Sequence, residues 1–258
     1  MRIILSPAKK MNIDTDTLEH QGLPAFLNRT QEILDWLRMQ SYADLQRLWN
    51  CNDKIAEQNF MRVKEMDIYK RLTPAIISYE GIAFQYMAPS VFENSSFDYV
   101  QEHLRILSGF YGVLKPMDGV TPYRLEMQAK AEINGAKDLY DFWGSSLYKE
   151  VRDDSGVIVN LASKEYSKCI EKYLKPKDHY VTVVFGEMEK GKFVTKGTYA
   201  KMARGEMVRY MAEHQIEDPD DIRAFDRLGY LYREDLSSGT QIVFERIDGP
   251  KGRSHGLI

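Results

Sequence analysis

The sequence predicts an α+β, or mixed α/β, fold: a single compact domain with a mixed β-sheet and surrounding helices. Helical patterns fill the first part of the chain, mixed strands and helices follow, and two late hairpin signals require antiparallel pairing. The 258 residues, 43% of them hydrophobic, suffice for a buried core without disulfides. We expect one domain over residues 1–250 and a flexible tail over 251–258, which is rich in glycine.

Strands are predicted where short apolar runs end at turn residues. Met1–Leu5 precedes Ser6 and Pro7, and Val157–Leu161 is a continuous apolar run of the kind that is buried on both faces. The two predicted hairpins pair Tyr180–Phe185 with Lys192–Lys196, and Gly229–Arg233 with Gln241–Arg246. Because hairpins force some antiparallel pairing, a mixed sheet is favoured over a doubly wound parallel one.

Seven segments have helical patterns of apolar residues. Ser41 and Asn52 are typical N-cap residues. Gly109 is expected to end the fourth helix, whose apolar side chains share one broad face. The predicted helices are Leu23–Met39, Ser41–Trp49, Asp53–Met66, Phe97–Leu107, Leu139–Val151, Lys164–Leu174 and Tyr199–Glu213.

The amino-acid composition indicates the cellular compartment more clearly than it indicates the function. The 35 basic and 38 acidic residues give a net charge of −3, which does not identify a nucleic-acid binder but is compatible with a local basic surface. Cys51 and Cys169 form no CxxC motif, so we expect a reducing compartment. No signal-peptide pattern occurs, and no apolar run approaches the ~20 residues of a membrane span. We therefore expect a cytoplasmic protein that does not bind membranes.

The predicted helix Tyr199–Glu213 carries the clearest candidate site. At about 100° per residue, Lys201, Arg204 and Arg209 lie on one face, and apolar residues occupy the opposite arc. Such a face is either a solvated surface or a surface for anions and phosphate backbones. Lys9 follows the first predicted strand, and α/β folds bind ligands at the carboxyl ends of strands.

Other polar residues have both a structural and a functional interpretation. Asn160, Ser163 and Lys164 follow the apolar run at 157–161, where they either begin the next helix or reach a pocket. Arg124, two residues from a glutamate, is either part of a structural ion pair or oriented toward an anion. No Gly-rich nucleotide fingerprint, paired histidine metal motif or nucleophile elbow occurs, so we identify no cofactor, no metal ligand and no catalytic residue.

Gly109 and Gly112 follow the predicted helix Phe97–Leu107 closely. A helix, a glycine turn and further helical structure present backbone N–H groups to phosphate, as in helix-hairpin-helix DNA-binding elements. The alternative is an ordinary helix that ends at glycine.

Seven segments, in order along nearly the whole chain, have a further significance together. They are Ile3–Lys9 (IILSPAK), His103–Pro116 (HLRILSGFYGVLKP), Pro122–Met127 (PYRLEM), Asp138–Gly144 (DLYDFWG), Val159–Tyr166 (VNLASKEY), Tyr199–Gly205 (YAKMARG) and Gly229-Tyr230. In these segments the chain resembles the YaaA family of bacterial peroxide-stress proteins.

The resemblance implies a single-domain mixed α/β fold with a positively charged cleft and a helix-hairpin-helix-like element, which corresponds to Arg105–Pro116. It also implies DNA binding linked to protection from hydrogen peroxide, through limitation of free iron and its oxidative damage. The residues that correspond to the cleft are Lys9, Arg124, Lys164, Lys201 and Arg204.

Three functions fit these residues. The first is a cytosolic stress protein that binds duplex DNA through its phosphates, and the second is an enzyme acting on a small phosphorylated or nucleobase-like substrate. The third is an interaction protein whose basic face meets an acidic partner. A deep, narrow cavity favours the second function, and a broad, shallow basic groove favours the first. The candidate DNA- or anion-binding residues are Lys9, Arg105, Gly109, Gly112, Arg124, Asn160, Ser163, Lys164, Lys201, Arg204 and Arg209.

Overall fold

An eight-stranded mixed β-sheet organises the part of the chain that a computed structural model describes, residues 1–247. The predicted tail over 251–258 lies outside the described residues. The strands are β1 (Arg2–Leu5), β2 (Lys10–Met11), β3 (Thr73–Pro74), β4 (Tyr79–Glu80), β5 (Leu104–Ser108), β6 (Gly112–Leu114), β7 (Gly119–Val120), β8 (Val157–Asn160), β9 (His179–Glu189), β10 (Lys192–Val194), β11 (Tyr230–Tyr232) and β12 (Gln241–Arg246).

Helices connect these strands throughout the described residues. The α-helices are α1 (Leu27–Met39), α2 (Tyr42–Trp49), α3 (Asp53–Glu65), α4 (Ala75–Ser78), α5 (Ile82–Met87), α6 (Asn94–His103), α7 (Leu139–Trp143), α8 (Ser146–Val151), α9 (Lys164–Glu171) and α10 (Gly197–Glu213). Short 3-10 helices cover Pro89–Val91, Pro219–Ala224, Arg227–Gly229 and Glu234–Leu236.

The large sheet has a parallel centre and antiparallel edges, in the strand order β11-β12-β9-β8-β1-β5-β6. β1 pairs in parallel with β5 on one side and with β8 on the other, so that Ile3 lies opposite both Leu104 and Val159. β9 and β12 continue the parallel part. The edge strands β6 and β11 are antiparallel, as is β10, which pairs with β9. This arrangement confirms the predicted α+β class and its mixed sheet.

Several predicted elements are confirmed, with small changes at their ends. Both hairpins form, as β9 with β10 and β11 with β12, but in the first one Lys192–Val194 pairs with Glu187–Glu189 and not with the predicted Tyr180–Phe185. Ser41 and Asn52 cap α2 and α3 by accepting hydrogen bonds from the backbone N–H groups of Asp44 and Ile55. The single helix predicted over 139–151 is instead two, α7 and α8, because Gly144 interrupts it with a positive φ of 52°.

The predicted helix Phe97–Leu107 is wrong in its second half. Helix α6 ends at His103, and the next five residues form β5, which is buried throughout. The run Leu104–Leu107, which is aliphatic apart from Arg105, fits a helix face and a buried strand equally well, and its pairing with β1 and β6 decides for the strand.

The helix-hairpin-helix-like element predicted over Arg105–Pro116 is wrong for the same reason. β5 and β6 form a β-hairpin, with Gly109 in its turn and Gly112 at a φ of +78°. Both glycines are buried, and the Gly109 carbonyl accepts a hydrogen bond from Trp143 Nε1 at 3.0 Å. Arg105, 4% exposed, donates to the backbone carbonyls of Gln101 and Leu104. These residues therefore stabilise the sheet edge and offer no surface to phosphate.

Helix α10 is held against the rest of the fold by a close helix–helix approach. It packs on α5, α6 and β9. At Gly205 the α5 backbone comes so near that an added Cβ would lie 1.9 Å from the Ala83 carbonyl oxygen. Only a residue without a side chain permits this distance. The neighbouring residues of α10 are thereby brought beside α5.

We expect Gly205→Ala to lower the free energy of unfolding by roughly 1–3 kcal/mol, because the methyl group forces α10 away from α5. Urea denaturation measures the change. The control is Gly197→Ala in the same helix, where an added Cβ meets nothing within 4 Å. Equal stability of the two variants would contradict the close approach.

Candidate anion-binding site

A cavity of about 390 Å³ opens beyond the carboxyl ends of β1 and β8. We call it the strand-end cavity. Since β5 and β8 lie on opposite sides of β1, the connections leaving these strands diverge there, and open α/β sheets bind ligands at such points. Its charged lining residues are Lys9, Lys10, Arg124, Lys201 and Arg204, together with Glu80, Glu126 and Glu165.

The two strand ends are joined by serine side chains at the floor of the cavity. Ser6, which follows β1, accepts a hydrogen bond at 2.8 Å from the backbone N–H of Ser163, which follows β8. Their hydroxyl oxygens are 3.2 Å apart. Ser163 is the residue before α9, but its side chain makes no cap hydrogen bond. Ser163 lines the cavity, which agrees with the interpretation that it reaches a pocket.

The remaining walls come from distant parts of the sequence. The short pairing of β2 with β4 holds the segment after β1 beside the start of α5, and Lys10 forms an ion pair with Glu80 across it. The residues Ile82–Phe84 and Leu125 add apolar surface. Helix α10 closes the cavity, because its contact at Gly205 brings the preceding turn, with Lys201 and Arg204, over α5.

Arg204 is a charged group of the cavity for which the described fold supplies no carboxylate partner. Among the described residues it has neither an ion-pair partner nor a hydrogen-bond acceptor, and its Nε is buried. Burial lowers the pKa of the guanidinium, with no neighbouring carboxylate to oppose the effect. Partial burial of a cation without a partner costs free energy, which a bound anion offsets. The side chain is thus arranged for an anionic ligand.

Arg124 lies between β7 and α7 in a stretch without regular secondary structure, and its side chain is only 12% exposed. Its Nη2 is 3.7 Å from Glu126 Oε1, and the same oxygen is 2.8 Å from Lys9 Nζ. The Nη2 also donates to the Trp49 carbonyl at 3.4 Å, while the buried Nε has no acceptor. The predicted arginine–glutamate pair therefore exists as a loose contact, with donor capacity left on the arginine.

Glu165 and Tyr166 also line the cavity, and neither is among the site residues predicted from the sequence. Burial raises the pKa of the Glu165 carboxyl, and the nearby Glu126 raises it further. Burial also raises the pKa of the Tyr166 hydroxyl. Glu165 thus holds a proton at higher pH than an exposed glutamate does. A glutamate one turn into a helix is ordinary in sequence, and only the cavity distinguishes it.

Besides Arg105, Gly109 and Gly112, three further predicted site residues lie outside the strand-end cavity. Lys164 is exposed and pairs with Glu171 on its own helix. Arg209 pairs with Glu213 at 2.7 Å, one turn further along α10. Asn160 is buried, where it accepts a hydrogen bond from the Ala162 N–H and contacts Thr182. The predicted residues that the fold brings together are Lys9, Arg124, Ser163, Lys201 and Arg204.

Within residues 1–247, no group of three or more histidine, cysteine, aspartate or glutamate side chains is arranged to hold a metal ion. None of the helices in that same range is both long enough and apolar enough to cross a membrane.

Comparison with known proteins identifies relatives along nearly the whole chain. A family model described as "Peroxide stress protein YaaA" matches residues 1–236. A UPF0246 protein of Agathobacter rectalis is 68% identical over 246 residues, which are 95% of this chain and 99% of the relative. UPF0246 proteins of Lachnoclostridium phytofermentans and Limosilactobacillus reuteri are 55% and 49% identical, over 95% and 96% of this chain and 96% and 100% of theirs.

We expect Glu165→Gln to become more stable relative to the unsubstituted protein as pH rises above about 4.5, the ordinary pKa of the group. Since the folded pKa is raised, the folded state binds the proton more tightly. The stability this confers is complete below the unfolded pKa and lost as pH rises through the folded one. The difference stays below about 1 kcal/mol because the half-buried group is screened. Thermal unfolding from pH 4 to 8 measures it. Exposed Glu132→Gln serves as control, and identical pH profiles for both variants would contradict the raised pKa.

Proposed function

The chain belongs to the YaaA family of peroxide stress proteins, and from this premise we propose that its strand-end cavity binds and transforms a small phosphorylated or nucleobase-like substrate. The role in peroxide stress comes from the family. The ligand class comes from the cavity's chemistry.

The observation that carries the proposal is the uncompensated Arg204 in the wall of the strand-end cavity. Arginine binds phosphate and carboxylate through parallel hydrogen bonds from its planar guanidinium, and such charge-assisted bonds are the strong ones. Arg124 provides a second guanidinium with free donors, and Lys201 provides an ammonium group. Three cations around one space favour a multiply charged anion, such as a phosphate monoester, over a single carboxylate.

The size of the cavity supports a small ligand. Its volume of about 390 Å³ falls in the range of roughly 300–1,000 Å³ that is typical of small-molecule sites. A duplex, whose major groove alone is about 12 Å wide, does not enter such a space. Tyr123, Leu161 and Phe84 supply apolar surface for the uncharged part of a ligand.

Glu165 supplies the chemistry of the proposed enzyme. Burial raises its pKa above that of an exposed glutamate, and carboxyl groups with raised pKa values serve as general acids and bases in enzymes. It lines the same cavity as the guanidinium groups that hold the anion. We therefore assign it proton transfer to or from the bound substrate.

We expect inorganic phosphate and ribose 5-phosphate to bind the protein, and Arg204→Gln to weaken both about 10- to 150-fold, because hydrogen bonds to charged groups contribute about 1.5–3 kcal/mol. Isothermal titration calorimetry measures the affinities. Arg209→Gln on the same helix is the matched control, since that arginine is paired outside the cavity. The proposal fails if neither anion binds, or if the two variants bind alike.

Duplex DNA binding through phosphates is the second candidate function, supported by exposed ammonium groups of Lys9, Lys10 and Lys201 at the cavity. Lys9 and Lys10 are paired with Glu126 and Glu80, which reduces the local positive charge. The family resemblance associates DNA binding with the limitation of iron-driven damage. An acidic partner protein meeting the same lysines is the third.

If the protein binds duplex DNA in this way, its affinity falls steeply with salt, with a slope of about 0.9 per phosphate neutralised. The double variant Lys201→Glu, Arg204→Glu then binds at least about tenfold more weakly, in proportion to the lost phosphate contacts. Fluorescence anisotropy of a labelled duplex measures both effects. Lys54→Glu with Lys175→Glu is the matched charge control, since neither lysine lines the cavity. A flat salt response excludes this candidate.

A further inference from the structure

A second cavity, of about 630 Å³, lies next to the strand-end cavity. We call it the helical cavity, because α1 and α2 and the residues that cap their carboxyl ends supply Trp36, Gln40, Trp49 and Asn50 to its lining. Nothing in the function proposed above uses it.

The two cavities share a boundary. Lys9 and Glu126 line both of them, and their ion pair of 2.8 Å therefore stands between the two spaces. The Lys9 side chain is 65% exposed, so it is free to swing aside at little cost. Arg124, from the strand-end cavity, reaches the Trp49 carbonyl at 3.4 Å, which ties the two linings together. A ligand that extends past this boundary occupies both cavities.

The helical cavity differs from its neighbour in its charges. Arg47 is paired with Asp44, and Lys9 with Glu126, so Lys130 is its one basic lining residue without an ion-pair partner among residues 1–247. An anion gains little there compared with the uncompensated Arg204 of the strand-end cavity. The anionic end of an extended ligand therefore belongs in the strand-end cavity.

The helical cavity instead suits a flat ring with a polar edge. Trp36 is half-buried against the core and lines the cavity, and nucleobases stack on such indole rings. The side-chain amides of Asn50 and Gln128 also line it and make no hydrogen bond to the other described residues. Amides offer both donors and acceptors, as the edge of a nucleobase requires.

We propose that the ligand is a nucleoside phosphate, with its phosphate on Arg204 and Arg124 in the strand-end cavity and its base against Trp36 in the helical cavity. This inference rests on the proposed function, because the first half of the ligand is the phosphate assigned there. It adds the base, and with it a second subsite across the Lys9–Glu126 ion pair.

The test compares ribose 5-phosphate with adenosine 5′-monophosphate, which differ by the base. We expect adenosine 5′-monophosphate to bind about 5- to 150-fold more tightly, the range given by about 1–3 kcal/mol per stacked base. It should also quench tryptophan fluorescence, which ribose 5-phosphate should leave unchanged. Trp36→Leu removes the extra affinity and the quenching while preserving the affinity for ribose 5-phosphate. Trp36→Phe retains a ring and part of the extra affinity. Tyr69→Leu, at an exposed aromatic residue outside both cavities, is the control.

The outcomes separate the two proposals. If both ligands bind equally, or if the extra affinity survives in Trp36→Leu, the base subsite is wrong while the phosphate site stands. If neither ligand nor inorganic phosphate binds, the proposed function itself fails. Trp36→Phe keeps the test valid should Trp36→Leu unfold.

Discussion

The position of β1 between β5 and β8 is the constraint on which the rest of the structure depends. Ile3, Ile4 and Leu5 are almost completely buried, and each such aliphatic side chain stabilises the fold by about 1.5–3 kcal/mol. Because neighbouring strands run parallel on both sides, the chain leaves the sheet in different directions at Ser6 and after β8. The strand-end cavity is the space between those connections, so the core pairing creates the candidate site.

The pairing of charges separates the site from the ordinary surface. Lys164 and Arg209 have carboxylate partners on their own helices, and Arg105 donates to backbone carbonyls. Lys164 and Arg209 are thus neutralised by carboxylates, whereas the buried Nε of Arg105 has no acceptor but lies away from the cavity. Arg204 has no carboxylate partner among the described residues, and it lies one residue before Gly205, where α10 closely approaches α5. The contact at Gly205 fixes α10 against α5 and thereby places the guanidinium at the cavity.

The segments shared with the family have different structural roles in the folded protein. The segments that begin at Ile3, Val159 and Tyr199 supply the floor and one wall of the strand-end cavity, and the segment Pro122–Met127 supplies another. The segment His103–Pro116 builds an edge hairpin of the sheet and contributes no lining residue. Shared sequence thus marks both a site and the scaffold that positions it, and only spatial arrangement distinguishes the two.

Sequence alone determined the α+β class, the mixed sheet, both late hairpins and the caps at Ser41 and Asn52, because these depend on local periodicity and turn chemistry. It also singled out Lys9, Arg124 and Arg204. Tertiary structure alone decided that Leu104–Leu107 is a strand, because pairing with β1 overrides a helical pattern that local energetics allows equally. It also decided which cations share a cavity and which are neutralised elsewhere. Charge pairing depends on contacts between distant segments, and these exist only after the sheet has formed.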